Sequence, residues 1–319
     1  MRDGNVRIVT DADELQEGLF GQVILYVFEI LPYLHARGAR PDWAIRAKYY
    51  GGAADGLVIP GVLDLAYTPQ PAKRDVSLAL LRERHCAQLG DDWQGLHDIW
   101  SSYFRIPPRI EAEADDLGPL GDALGVHYRG TDKLTAAWDT NPVSRADMAA
   151  IVADFRSRRP DLKRVFVASD DAGFASYLAD QTDAEVINLG GVDFHKAEDL
   201  AADLNRKADR ALLDCVLLSR CAAVLKTSSA LGGFTKVLRP SLEIYRCAAS
   251  KMFADIPYFP VAYVPRYQSE DPQVAAILER LMQDDWTDKH SQPSFAARPR
   301  YARRALKWKV LEMLGGSPV

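Results

Sequence analysis

His127, Arg129, Asp132 and Lys133 fall within seven residues, in the stretch Gly125-Val126-His127-Tyr128-Arg129-Gly130-Thr131-Asp132-Lys133 that follows the apolar start of a strand at Leu124–Val126. A strand ending this way places cationic and hydrogen-bonding groups at the carboxyl edge of a sheet, where open α/β sheets bind ligands. The natural guest of such a loop is an anion. Two further polar clusters sit in corresponding places, Asp170 and Asp171 after the strand-like Arg164–Ala168, and Ser228 and Ser229 after Ala222–Lys226. Each alone has a plain explanation: His127 and Arg129 could share a salt-bridge cluster with Asp132, and the Asp or Ser pair could cap a helix. Their recurrence after successive strands favours one shared site.

Asp214 adds a buried carboxylate. It lies in Ala211-Leu212-Leu213-Asp214-Cys215-Val216-Leu217-Leu218 with apolar neighbours at helical spacing, so it needs a partner. Arg210 or Arg220 would serve structurally, and the paired N–H donors of a guanine edge would serve functionally. Gly18 and Gly21, just before the apolar Val23–Leu31, would open helix amides to phosphate or sugar oxygens, or simply make a tight turn. Asp11-Ala12-Asp13 has the form of a metal-binding acidic pair, yet its place after strand Val6–Thr10 suits a helix start better.

The elements that must carry these groups alternate. The first part reads as strands and loops from Arg37 to Pro71, then helices over Ser77–Gln88 and Trp93–Phe104. A breaker at Arg105–Arg109 and an acidic Glu111–Gly121 mark a candidate linker. Beyond it come strand Ala123–Tyr128, a helix from Arg145 to Arg156 capped by Ser144, strand Arg164–Ala168, helix Gly173–Asp180, strand Glu185–Leu189, helix Lys207–Arg220, strand Ala222–Lys226 and an Ala230-led helix. This order predicts a parallel, doubly wound sheet covered on both faces. In the tail, residues 298–314 form a basic amphipathic helix: Ala302, Leu306, Val310, Met313 and Leu314 share one face, and Arg303, Arg304 and Lys307 lie elsewhere. The same stripe suits docking on the amino-terminal domain or peripheral contact with a membrane surface.

The chain has 319 residues, 48% hydrophobic and 26% charged, with net charge −5, values that fit a globular protein of two domains and argue against a nucleic-acid coat. Any anion site must be local. Cys86, Cys215, Cys221 and Cys247 show no CxxC spacing and read as reduced and structural. With no signal-like segment before Val6, the expected location is the cytoplasm, with possible contact at the inner face of the membrane.

Taken together, Gly125–Lys133, Val167-Ala168-Ser169-Asp170-Asp171, and Leu213-Asp214 through Thr227-Ser228-Ser229 resemble the α1,6-fucosyltransferase superfamily, which includes nodulation and N-glycan core fucosyltransferases and, more distantly, protein O-fucosyltransferases. Gly18-Leu19-Phe20-Gly21-Gln22 resembles its amino-terminal element. The resemblance implies a GT-B-like fold, two Rossmann-like α/β domains with the donor in their cleft and a C-terminal helix returning to the first. The expected divisions are 1–118 (acceptor side), 119–268 (nucleotide-sugar side) and 269–319 (helical tail). It implies that His127 and Asp214 meet guanine, that Arg129 binds the β-phosphate, and that Gly18, Gly21, Ser228 and Ser229 help hold the donor. Asp132, Lys133, Asp170 and Asp171 would support the site. The implied reaction is inverting and metal-independent, transferring fucose from GDP-fucose to a glycan or lipid-linked oligosaccharide, with no cofactor.

Two positions depart from the family. Gly130 stands where many members have a second Arg, and Ala136-Ala137-Trp138-Asp139 stands where the core-fucosylating enzymes have a Glu, leaving Asp139 as the candidate base. The alternatives are another GDP-sugar or UDP-sugar as donor, or a nucleotide- or glycan-binding module that has lost catalysis.

Overall fold

The structure, a computed structural model, describes residues 5–51, 56–87, 89–134, 140–190, 204–251 and 259–286. Contacts divide the chain into two units, one of Met1–Ile110, Glu198–Asp209 and Gln292–Val319, the other of Glu111–Ala197 and Arg210–Ser291.

In the first unit the chain runs β1 (Val6–Val9), α1 (Leu25–His35), β2 (Asp42–Arg46), β3 (Leu57–Ile59), β4 (Asp64–Leu65), β5 (Arg74–Ser77), α2 (Leu78–His85), α3 (Trp93–Tyr103) and β6 (Phe104–Arg105). The sheet order is β3-β2-β1-β5, with β1 parallel to β2 and β5, and β3 antiparallel to β2; β4 and β6 form a separate ribbon. The apolar segment expected as one helix is instead a π-helix over Leu19–Ile24 that continues into α1, with Pro32 inside it. Where the acidic run was expected to cap a helix start, Asp11 precedes only a three-residue 3-10 turn, Ala12–Glu14. Its carboxylate makes no cap bond and instead accepts from the Ser77 hydroxyl.

The second unit holds most of α4 (Pro108–Asp116), then β7 (Ala123–Tyr128), α5 (Arg145–Ser157), β8 (Arg164–Ser169), α6 (Phe174–Gln181), β9 (Glu185–Ile187), most of α7 (Leu204–Arg220), β10 (Ala223–Lys226), α8 (Ala230–Leu238), β11 (Glu243–Arg246) and α9 (Pro272–Leu281). All its strands are parallel, in the order β11-β10-β7-β8-β9. Counted within the unit this is the 3-2-1-4-5 order of a doubly wound sheet, whose switch point lies between β7 and β10. The expected α/β class with a parallel sheet is what the chain adopts.

The three central strands, β7, β8 and β10, are buried on both sides, as expected where helices cover both faces of a sheet. All six residues of β7 are buried. On one face Leu124, Val126, Val165, Val167 and Leu225 meet Ile151, Phe155, Phe174, Leu178 and Leu278 from α5, α6 and α9. On the other, Gly125 admits α7: a Cβ there would lie 3.0 Å from Leu218 Cδ2 and 3.2 Å from Cys221 Sγ. Ser144 starts α5 through a reciprocal capping box with Asp147, as its sequence position predicts.

The acidic stretch expected as a linker begins inside a helix. Pro at an α-helix start loses no useful hydrogen bond, so Pro107-Pro108 opens α4 rather than breaking the chain. Arg220 of α7 holds α4 through Glu111 and Asp115. Farther along, the guanidinium of Arg246, at the end of β11, donates to both carboxylate oxygens of Asp285 at 2.6 and 2.7 Å and to the Val264 carbonyl at 2.8 Å. Asp285 also accepts from Arg266 and from the Ser250 amide.

Candidate functional site

The carboxyl ends of β7, β8 and β10 bring together most of the residues singled out by sequence. After β7, the Arg129 guanidinium meets Asp170 at 2.6 Å. Asp170 also accepts from the Gly130 amide at 2.9 Å and from the Thr131 hydroxyl. One buried carboxylate therefore fixes the loop that carries the cation, and Arg129 keeps about a third of its side chain exposed. Asp171 points elsewhere: it takes a two-pronged ion pair from Arg145 and the Gly173 amide at 3.1 Å. It supports the starts of α5 and α6.

Gly130 has a spatial reason. A Cβ at this position would sit 2.2 Å from Tyr128 Cε1, 2.8 Å from Cζ and 3.0 Å from Asp171 Cβ. The Tyr128 ring cannot retreat easily, because its hydroxyl donates to the Val143 carbonyl at 2.9 Å and its ring centroid is 4.0 Å from that of Phe174. In this packing no side chain larger than hydrogen fits at the position where many members of the resembled family carry a second Arg.

The end of β10 is clamped to the end of β7. The Thr227 amide donates to the His127 carbonyl at 3.0 Å, and the Thr227 hydroxyl accepts from the Arg129 amide at 3.0 Å. Ser228 and Ser229 follow, both buried. Ser229 is the N-cap residue of α8, yet its hydroxyl makes no cap bond, so the plain capping explanation does not hold for it.

His127 and Lys226 are register partners on β7 and β10. Both are buried, and neither His127 Nδ1 nor Lys226 Nζ has a hydrogen-bond partner among the described residues. The first turn of α8 lies against them: a Cβ on Gly232 would be 2.5 Å from His127 Nδ1 and 3.0 Å from Lys226 Cε. Burial holds the His127 imidazole well below its usual pKa, with Lys226 and Arg129 adding to the shift. The His127–Asp132 cluster considered from sequence is not supported by a bond at Nδ1; the Asp132 side chain lies outside the described ones.

Asp214 is buried in α7, and its partner is Arg210, whose Nε donates at 3.2 Å. Arg220 is committed to α4. Burial pushes the Asp214 carboxyl up to about 6, against the pull of Arg210. Lys133 sits in a 3-10 turn, Asp132–Leu134, beyond the Arg129 loop. Gly18 and Gly21 belong to the first unit, and neither opens a free helix start. Gly21 lies within the π-helix, and the Gly18 amide donates to Gln22 Oε1 at 2.5 Å. Asp139 and residues 298–314 lie outside the described residues.

No protein-family model matches the chain, and no curated protein matches it. Among solved structures, it is similar to NodZ alpha-1,6-fucosyltransferase soaked with GDP-fucose, at 15% identity and TM-score 0.46 over 74% of this chain and 93% of that one. It is similar to POFUT1 in complex with GDP-fucose, at 9% identity and TM-score 0.48 over 76% and 97%. A third is a mutant of Arabidopsis thaliana FUT1 in complex with GDP, at 9% identity and TM-score 0.45 over 77% and 71%.

Sequence reasoning missed Lys226 and Thr227. A lysine after Ala222-Ala223-Val224-Leu225 reads as the polar end of a strand, and Thr227 as its loop. The available signal was Gly232-Gly233, a glycine pair in the first turn of the helix that follows, which marks a close approach. Among the described residues no group of three or more His, Cys, Asp or Glu could hold a metal ion, and no helix is long and apolar enough to cross a membrane.

Proposed function

We propose that the protein is a glycosyltransferase that transfers fucose from GDP-fucose to a glycan or lipid-linked oligosaccharide, with inversion and without a metal ion. One observation carries the reading: at the switch point of a 3-2-1-4-5 sheet the ends of β7 and β10 are joined through the Arg129 amide and the Thr227 hydroxyl, with Ser228 next in the chain and the Arg129 guanidinium fixed by Asp170. That is where such sheets bind nucleotides. The motif resemblance supplies the donor.

In the transfer, the bond from sugar C1 to the β-phosphate oxygen breaks and a bond from the acceptor oxygen to C1 forms on the opposite face. The acceptor's proton leaves to a base, for which Asp139 is our candidate. Negative charge builds on the β-phosphate as the sugar becomes oxocarbenium-like, and a guanidinium in fixed position stabilises that charge in the transition state. Ser228 and Ser229 offer hydroxyls to the phosphates. Asp214, in exchange for or beside Arg210, would accept the guanine donors.

Calorimetric titration with GDP and with UDP, followed by a donor screen reading released nucleoside diphosphate, tests the reading. GDP should bind at least about tenfold more tightly than UDP, because a carboxylate reading paired N–H donors rejects a base lacking them. Equal binding of UDP would remove guanine from the proposal. GDP binding with no transfer and no slow donor hydrolysis would leave a binding module in place of an enzyme.

A further inference from the structure

Arg129 is the cation that the proposed reading assigns to the phosphates, but Asp170 already balances part of its charge. A nucleoside diphosphate brings more than one negative charge to this edge of the sheet. Lys226, at the end of β10, carries an amine at the same edge. It is fully buried, its Nζ has no partner among the described residues, and the adjacent buried His127 Nδ1 has none either. A buried ammonium without a counter-charge is strongly disfavoured, so such a group is either neutral or completed by a ligand.

The surroundings of Lys226 point to an anion. The charged and titratable groups facing it are His127 on β7, Lys133 in the turn beyond β7, and Arg246 with Cys247 at the end of β11. Arg246 is satisfied by Asp285. Asp214 on α7 is held by Arg210. From α8 the nearest residue is Gly232, which presents no side chain and brings the helix's first turn against Lys226 and His127. The amino end of this nine-residue helix adds the positive end of its dipole.

We propose that Lys226 is a second anion-binding residue of this site, its amine held unpaired with His127 beneath the first turn of α8 until a diphosphate arrives to complete it. The inference rests on the nucleotide-sugar reading above and extends it to a residue that the sequence motifs do not include. Burial lowers the Lys226 amine to about 7, with Arg246 and Lys133 adding to the shift and Cys247 opposing it. A bound diphosphate reverses the balance, so the amine takes up a proton as the ligand binds.

The test is calorimetry of the full-length protein near pH 8 in buffers of different ionisation enthalpy, with GDP and with inorganic pyrophosphate as probes. The wild type should take up about one proton per ligand. Lys226→Met should bind GDP at least about tenfold more weakly and take up correspondingly less proton, while unfolding at a higher temperature, because an unpaired buried amine has been replaced by an apolar chain of similar length. Unchanged GDP affinity and proton uptake in Lys226→Met would overturn the proposal, as would wild-type binding of both probes with no proton uptake, a measurement that needs no variant. Pyrophosphate binding with proton uptake but no GDP binding would refute the nucleotide reading and leave the anion site standing. Failure of both probes to bind would refute both.

Discussion

Substitution of Gly130 by alanine tests whether the Arg129 loop is shaped by packing. The added methyl carbon would lie 2.2 Å from Tyr128 Cε1, with Asp171 Cβ 3.0 Å away. Ordinary carbon–carbon contact is about 3.5–4.0 Å, so the loop or the ring must move by roughly 1 Å or more. The ring is pinned by its bond to the Val143 carbonyl and by Phe174, so the loop yields. Its displacement loosens the 2.9 Å bond from the Gly130 amide and the 2.6 Å Arg129–Asp170 pair. Overpacking of this kind costs about 1–3 kcal/mol, and weakening a hydrogen bond to a buried carboxylate adds roughly 1 kcal/mol or more. Urea unfolding should therefore place Gly130→Ala about 2–4 kcal/mol below wild type. The double variant Gly130→Ala/Tyr128→Leu should show a favourable coupling of about 1 kcal/mol or more, because the clashing ring edge is gone. A Gly130→Ala protein within about 0.5 kcal/mol of wild type, or strictly additive variants, would refute the steric account.

Arg129→Ala should lower the rate of GDP release from donor by about 10²–10³-fold with the fold retained by circular dichroism, the usual cost of losing one preorganised transition-state contact. Asp214 titrates near 6 in the folded chain, above its ordinary 3.8. The folded state thus holds a proton that the unfolded state releases between about pH 4 and 6, and stability falls as pH rises through that window, by on the order of 3 kcal/mol. Asp214→Asn should flatten that part of the unfolding profile. For Lys226, lowered to about 7, the sign is opposite: the unfolded chain keeps the proton that the folded chain gives up, so wild-type stability rises from about pH 7 toward 10 and Lys226→Met loses the slope. Donor turnover should be unchanged after exhaustive chelation, measured against an untreated sample.

Strands β7, β8 and β10 of the second unit were legible because their sequences are apolar on both faces and end in polar clusters, whereas β11, whose Glu243-Ile244-Tyr245-Arg246 alternates in burial at the sheet edge, was missed. Leu124–Val126, Val165–Ala168 and Ala223–Leu225 all lie where that pattern puts them. The Asp214 partner was half legible: sequence offered Arg210 or Arg220, and the i,i+4 pair with Arg210 is the one that forms. The start of α4 was misread because Pro-Pro signals both a break and a helix start, and only the Arg220 contacts with Glu111 and Asp115 decide between them. The Gly18–Gly21 element was half legible. Its residues do begin a helix, but a side-chain bond from Gln22 fills the amide expected to be open. Gly130 looked like a missing cation because the tyrosine ring that excludes a Cβ sits two residues back and has no spacing signature. Lys226 was invisible for a related reason: strand register brings it beside His127, and register is not written in either segment alone.

The bidentate pair between Arg246 and Asp285 bears on how the second unit is completed during synthesis. Arg246 closes the last strand of the sheet, yet its counter-charge comes from beyond α9, where Asp285 also gathers Arg266 and the Ser250 amide. A nascent chain that has emerged only through β11 has all five strands in hand but a guanidinium at the sheet edge with no anion to meet it. The native parallel sheet is therefore expected to lock only after residue 285 leaves the ribosome. A chain cut before that point should behave as an expanded, protease-sensitive intermediate instead of a smaller folded unit.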